Sequence, residues 1–309
     1  MDFTLTEEQE LLVETAARLL RDECSPSMLR AHMDNPGAAA PLWAQLEAFT
    51  ELGDGPCTDL ALFCEQLGYV AAPGPFFAVA ALYRPLRQVL GIHDERTGTV
   101  ADGGVYAPDA DQVDVIAVIR DHEVMFATDA STRLVPTADS TRRLFAIGRE
   151  PKAGDTVAIA DDQLREWRSR AWVAAAADAV GTARRMLDMS VAYAKERVQF
   201  GVPIGSFQAI QHKLADLALT VERATSAVRY AALTIDERDA DRFRAAHVAK
   251  AAANAAAHQA GKDGVQVHGG IGYTWEHDLH LFIRRAEGSA HWMGTVNAHH
   301  DAIADILFA

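Results

Sequence analysis

Tyr193-Ala194-Lys195-Glu196-Arg197-Val198-Gln199-Phe200-Gly201-Val202-Pro203-Ile204 closes a long helical pattern with a cation, an aromatic ring, a glycine and a proline in quick succession. Lys195 and Arg197 fall in the predicted last turn, where the negative end of the helix dipole favours cations. Gly201 is placed to take the left-handed conformation of a C-cap, and Pro203 stops the helix from resuming at once. Arg197 would then project as a fork of donors suited to a pyrophosphate, with the flat ring of Phe200 beside it. An ordinary helix terminus carries the same cationic cap, so the stretch gains meaning from its company.

That company is Gly264-Val265-Gln266-Val267-His268-Gly269-Gly270-Ile271-Gly272-Tyr273-Thr274. Glycines at 269, 270 and 272, following an alanine-rich helical pattern, mark a turn where another backbone or a ligand can come close. Together the two stretches resemble the acyl-CoA dehydrogenase family, flavoenzymes that desaturate acyl-CoA thioesters. The opening Met1-Asp2-Phe3-Thr4-Leu5-Thr6-Glu7-Glu8-Gln9 and the segment Leu67-Gly68-Tyr69-Val70-Ala71-Ala72-Pro73-Gly74-Pro75-Phe76 are similar to that family as well. The resemblance covers both ends of the chain well and its middle poorly.

Composition fits an ordered, soluble protein. Of the 309 residues, 49% are hydrophobic and 23% charged, and the net charge is −14, which argues against general nucleic-acid binding. Such an acidic chain needs local Arg or Lys to hold an anionic CoA ester. Cys24, Cys57 and Cys64 are too few and wrongly spaced for a disulfide framework or a zinc site. No apolar run reaches transmembrane length and the start is unlike a signal peptide, so a cytoplasmic location is expected.

The pattern divides the chain into three. Residues 1–97 read as an N-terminal helical domain: Thr6 caps a helix carrying Leu11, Leu12, Ala16, Leu19 and Leu20, a second follows Asp34-Asn35-Pro36-Gly37, and Asp59 opens a third. Residues 98–162 read as a shortened β domain, with strands at 113–119, 124–127 and 133–136 and a hairpin turn at Asp121-His122. Residues 163–309 read as a C-terminal helical bundle. Its helices are expected at about 164–199, after a Ser206 cap, at 241–267, 280–287 and 297–308. The fold class is mostly α with a small β domain, like an acyl-CoA dehydrogenase.

In the family, FAD lies across a subunit interface, one subunit cupping the flavin and its neighbour holding the ADP half. The resemblance assigns ADP contacts to Arg197, Gln199, Phe200, Ile204, Gln208, Gln266, Gly269 and Gly270. The departures are as informative. The family's Arg-Asp-Ala element reads Arg284-Arg285-Ala286, and its Tyr-Glu-Gly-Thr turn, where Glu is the base, reads Trp292-Met293-Gly294-Thr295. The alternative base position corresponds to about Ala171. Neither residue can take the α-proton that the chemistry must remove, so no catalytic residue is assigned. Glu287, His291 and Glu276 lie near in sequence as relocated bases, but a neighbouring turn need not aim at the same point. The flavin-cupping Thr-Glu-Pro and Gly-Ser-Asp elements are absent between 98 and 162, and Trp167 and Trp172 come too late for the family's Trp-bearing strand.

This combination resembles the degenerate chain of heteromeric α2β2 acyl-CoA dehydrogenases of actinobacteria. It implies an accessory subunit that shares FAD with a full-length partner and serves a bulky, steroid-derived acyl-CoA. The rivals are a self-sufficient homomeric flavoenzyme with a relocated base and a structural subunit that touches no cofactor. A metal site on His277, His280, His299 and His300 lacks a supporting Cys or carboxylate motif, so none is assigned.

Overall fold

Thr6 caps the first helix as its sequence demands. Its hydroxyl accepts from the Gln9 amide at 3.2 Å while the Gln9 side chain accepts from the Thr6 amide, a reciprocal capping box. The computed structural model describes residues 3–148 and 155–308; Met1, Asp2 and Ala309 lie outside it. Helix α1 (Glu7–Glu23) buries Ala16 and Leu20. Helix α2 (Pro26–Asp34) adds to the expected elements: Ser25 caps it and Pro26 holds its first position. Helix α3 (Ala40–Leu46) tightens into a 3-10 stretch, and α4 (Cys57–Val70) starts two residues before Asp59. Its cap is supplied from far along the chain: the Asp236 carboxylate accepts from the Cys57 and Thr58 amides at 2.6 and 2.9 Å. A fully buried π-wound stretch, Phe77–Tyr83, runs into α5 (Arg84–Leu90).

The middle region holds more strands than the three expected. Strands β1 (Gly98–Asp102), β2 (Tyr106–Pro108), β3 (Val115–Arg120), β4 (Glu123–Ala127), β5 (Thr132–Val135), β6 (Leu144–Ile147) and β7 (Thr156–Ala158) form two sheets. One has the order β1-β3-β4-β7 with β1 and β3 parallel; the other, β2-β6-β5, is antiparallel. Strand β3 explains its own unbroken apolar run. Ile116 and Val118 face Ala101, Ala107 and Phe145 in a small core, while Val115, Ala117 and Ile119 join the main core. Asp121 and His122 make the β3–β4 turn, both at positive φ.

The long helix α6 (Asp161–Glu196) stops short of the expected Gln199. A two-stranded hairpin, β8 (Val198–Gln199) and β9 (Val202–Pro203), follows. Gly201 is therefore no helix cap: Phe200 (φ 54°) and Gly201 (φ 82°) form the hairpin turn. Ser206 does not cap the next helix either. Its hydroxyl donates to the Pro203 carbonyl at 2.7 Å, and Phe207 is the uncapped start of α7 (Gln208–Asp236). Helices α8 (Arg242–His268), α9 (Leu279–His291) and α10 (Val296–Phe308) complete the bundle, with a 3-10 turn at Gly269–Tyr273.

Small residues set the packing of α6. A Cβ at Gly68 would overlap the Asp178 carbonyl, and one at Gly181 the Glu65 carbonyl, so α4 and α6 cross backbone to backbone. Thr182 seals the crossing by donating to the Gly68 carbonyl at 3.1 Å. Buried alanines at 245, 246, 249, 253, 256, 257 and 260 let α8 approach its neighbours as closely.

Candidate cofactor-binding site

Three chain segments converge at one end of the bundle. The Tyr193 ring, in the last turn of α6, stacks on His268 at 4.4 Å between centroids. Lys213, near the start of α7, pairs with Asp263 near the end of α8 at 2.8 Å. The hairpin closes onto α6 through the Ile204 amide, which donates to the Arg197 carbonyl at 2.8 Å. The two stretches that opened the sequence reading thus lie on the same face.

That face points outward. Phe200 is 94% exposed, and Arg197, Gln199, Gln208, Gln266, Gly269 and Gly270 are exposed, with Ile204 half-buried. Gln199 donates only to the neighbouring Val198 carbonyl, and the side chains of Arg197 and Gln266 have no partner among the described residues. Gly269 holds φ 64°, and a Cβ built at Gly269 or Gly270 meets nothing within 4 Å. An uncommitted guanidinium, a flat ring and bare backbone fit the pyrophosphate and base of an ADP group arriving from outside the chain.

Beneath the glycine turn lies a histidine cluster that sequence spacing had suggested only as a metal pair. His268 meets His277 at 4.6 Å between ring centroids, and His280 stands edge-on to Trp275 at the same distance. Burial lowers the pKa of all three imidazoles, and Arg30 and Arg284 push the same way on His280. His268 lies 2.7 Å through Nδ1 from the Gly264 carbonyl, and the Leu279 amide donates to His277 Nδ1 at 3.1 Å. Among the described residues no group of three or more His, Cys, Asp or Glu is placed to hold a metal ion.

The second half of the site is a cleft of about 780 Å³ between the sheets and helices α6 and α9. Trp167, Trp172, Trp292 and Met293 line its bundle side; Val100, Pro108 and Leu144 line the sheet side. Its Arg168 is committed to Asp102 in a two-pronged pair at 2.7 and 2.9 Å. Met293 sits at φ 60° and Gly294 at φ 107°, a strained turn held from several directions. His299 lies 3.1 Å from the Met293 carbonyl through Nε2, and Asn254 donates to the Gly294 carbonyl at 3.3 Å. Lys250, fully buried, donates to the Ser289 carbonyl at 3.1 Å and to Asn254 at 2.8 Å; burial, aided by Arg142, pulls its pKa down to about 7. Backing the turn, His299 and His247 meet through their Nδ1 atoms at 2.8 Å, both rings against Trp172. The scaffold is complete, but its side chain is a thioether that accepts no proton.

Of the three relocated-base candidates, Glu287 and His291 line the cleft and Glu276 does not. Glu287 pairs with His258 at 3.1 Å. Ala171 is fully buried in α6 and offers nothing to titrate. The Arg285 that stands in the Arg-Asp-Ala position finds its counter-charge on α6: it grips Asp178 at 2.5 Å, and Arg142 pairs with the same carboxylate. Burial alone would raise the Asp178 carboxyl, yet the two guanidiniums hold it below its ordinary value. Nearby, Asp109 is pushed up to about 7 by burial and by Asp111. No pattern in the sequence pointed to this network, because its members come from three separate regions.

Fold and site together define a mostly helical class of protein in which a small β domain faces a helical bundle across a cleft. Residues 168–308 match the C-terminal domain of acyl-CoA dehydrogenases. Acyl-CoA dehydrogenase IpdE2 of Mycolicibacterium smegmatis is 35% identical, covering 94% of this chain and 96% of its own length. IpdE2 of Mycobacterium tuberculosis is 34% identical over 93% of each chain. This chain belongs to the acyl-CoA dehydrogenase family. Among solved structures, the ChsE4-ChsE5 complex from Mycobacterium tuberculosis is 20% identical, with a TM-score of 0.85 over 99% of both chains. A steroid ACAD variant, Tcur3481-Tcur3483, is 23% identical with the same TM-score over 98% of both. These last two likenesses establish the fold. No helix of the described residues is long and apolar enough to cross a membrane.

Proposed function

We propose that this chain is the accessory subunit of a heteromeric FAD-dependent acyl-CoA dehydrogenase, acting in the cytoplasm on a bulky, steroid-derived acyl-CoA. Arg197, Phe200, Gln266 and Gly270, with Gln199, Ile204, Gln208 and Gly269 around them, hold the ADP half of an FAD whose flavin lies in the partner. The partner supplies the flavin pocket and the glutamate that removes the α-proton. When bound, FAD supplies the hydride acceptor; this chain binds and orients its nucleotide end. One observation carries the reading: donors at the bundle end stand open and uncommitted, while the turn that would present a base presents Met293. The two like-folded structures, each named for a pair of chains, support a two-chain assembly.

The test is co-expression with a full-length dehydrogenase, followed by flavin-to-protein stoichiometry and thioester oxidation. The complex should hold half-stoichiometric flavin, and Arg197→Ala should weaken flavin retention by about tenfold or more, the worth of a charge-assisted contact. A second reading rests on Glu287 and His291 at the cleft: a self-sufficient homomer. If the solitary chain purifies yellow and oxidises a thioester, that reading replaces the first.

A further inference from the structure

We propose a second ligand site on this chain, away from the coenzyme face: the groove between helices α1 and α2 and the bundle takes a carboxylate carried on an apolar body. The cavity measures about 550 Å³, and none of the residues assigned to the coenzyme lines it. Its apolar lining is half-buried at Ala17, Pro26 and Tyr69, over a buried floor of Leu20, Leu29, Val70 and Phe282. Cys24, also in the lining, is buried, and its thiol is pushed up to about 12 by that burial.

The polar side of the groove is cationic on a chain whose net charge is −14. Three arginines line it against a single glutamate. Arg184 is spent: it reaches Glu65 at 3.3 Å, Glu222 at 2.8 Å and the Thr225 hydroxyl at 3.0 Å. Among the described residues Arg21 donates only to the Ala17 carbonyl of its own helix. Arg185 pairs with no carboxylate among the described residues; its guanidinium stands 5.4 Å from the Tyr69 ring centroid and 5.6 Å from that of Phe282. The Tyr69 hydroxyl donates to Asp188 at 2.8 Å, which fixes one of those two rings. Arg185 is therefore pre-positioned between two aromatic faces, and little side-chain freedom is left to lose when an anion arrives.

Both parts of the groove constrain the ligand. A small inorganic anion would leave the apolar lining wet, and an uncharged hydrocarbon would strip water from Arg185 without giving it a partner. A carboxylate with a hydrocarbon body satisfies both, with its head on Arg185 and Arg21 and its body along Ala17, Pro26 and Tyr69.

Octanoate is the probe, titrated calorimetrically into the full chain, alone or in its complex. Acetate, octan-1-ol and inorganic phosphate are the comparisons. Octanoate should bind saturably and each comparison at least about tenfold more weakly. Arg185→Gln should weaken octanoate about tenfold or more, Arg21→Gln about threefold, and Ala17→Trp, which fills the groove, should abolish binding. Arg185→Lys, keeping charge but losing the fork, should fall between wild type and Arg185→Gln and stands in if that variant misfolds. No saturable octanoate binding by the folded chain overturns the proposal. So does equal affinity for octan-1-ol or acetate, or unchanged affinity in both Arg185→Gln and Ala17→Trp. FAD retention by the complex should be the same with and without Arg185→Gln, so this test and that of the coenzyme role fail separately.

Discussion

At the bundle end around Arg197 and Gly270, the groups able to meet a nucleotide make few contacts within the chain. At the Met293 turn nearly every polar group is tied down, by His299, Asn254 and Lys250. The first region has open chemistry on a simple support; the second has an elaborate support under an inert side chain. The contrast teaches that the two regions rest on separate foundations. The backbone grip on a nucleotide tail depends on a hairpin and a glycine turn. The presentation of a base depends on interior hydrogen bonds among α8, α9 and α10. Either region can change its exposed chemistry without disturbing the other, and the Met293 turn keeps its scaffold because the scaffold is also core.

The largest effect should come from attacking the interior foundation. Asp178→Ala removes the carboxylate that buried Arg285 and Arg142 share. Among the described residues that leaves Arg285 only neutral acceptors and Arg142 only Asp139, at 3.8 Å, as counter-charge, at a cost of about 3–5 kcal/mol. Urea unfolding should show the loss as a lower midpoint, and a drop below about 1 kcal/mol would mean that the two regions share less core than the network implies. The next effect sharpens the contrast from the other side. Gly270 has open space where a Cβ would go and needs no positive φ, so Gly270→Ala should leave the thermal midpoint unchanged or slightly raised. In the assembled complex the same methyl should meet the coenzyme and weaken flavin retention by about tenfold. A variant that retains flavin like wild type would show that no ligand approaches that backbone.

Legibility in the sequence followed the range of the interaction. Thr6 and Gln9 announce α1 because a capping box is local. The start of α4 was misplaced by two residues because its cap, Asp236, is supplied by a distant helix. Four short strands escaped notice because β2 and β7 span three residues each and the burial of β1 and β6 depends on partners distant in sequence. The candidate coenzyme face could be proposed from resemblance since its residues fall in two compact stretches. Its convergence, through Tyr193 on His268 and Lys213 on Asp263, could not. The Arg285 departure looked like a lost aspartate, and only the fold shows that Asp178 answers it.

The smallest expected effect concerns protons at the Met293 turn. His299 has its pKa lowered to about 4, first by burial and then by His247 and Lys250, with His300 adding to the same repulsion. His247 is lowered as well, by burial and by Arg165. The unfolded chain therefore binds protons that the folded chain refuses between about pH 6.5 and pH 4. Stability contributed by the pair is full above that window and declines as the pH falls through it, whereas an ordinary exposed histidine would contribute no slope. Between pH 7.5 and 5.5 the His299 share of the decline should be about 1 kcal/mol. His299→Gln keeps a donor for the Met293 carbonyl but cannot titrate, so its denaturation midpoint should vary less with pH across that interval. An equal slope in the two proteins would place the titrating group elsewhere, with Lys250, brought down to about 7 in the same interior, and the His268, His277 and His280 cluster at the bundle end as the next to replace.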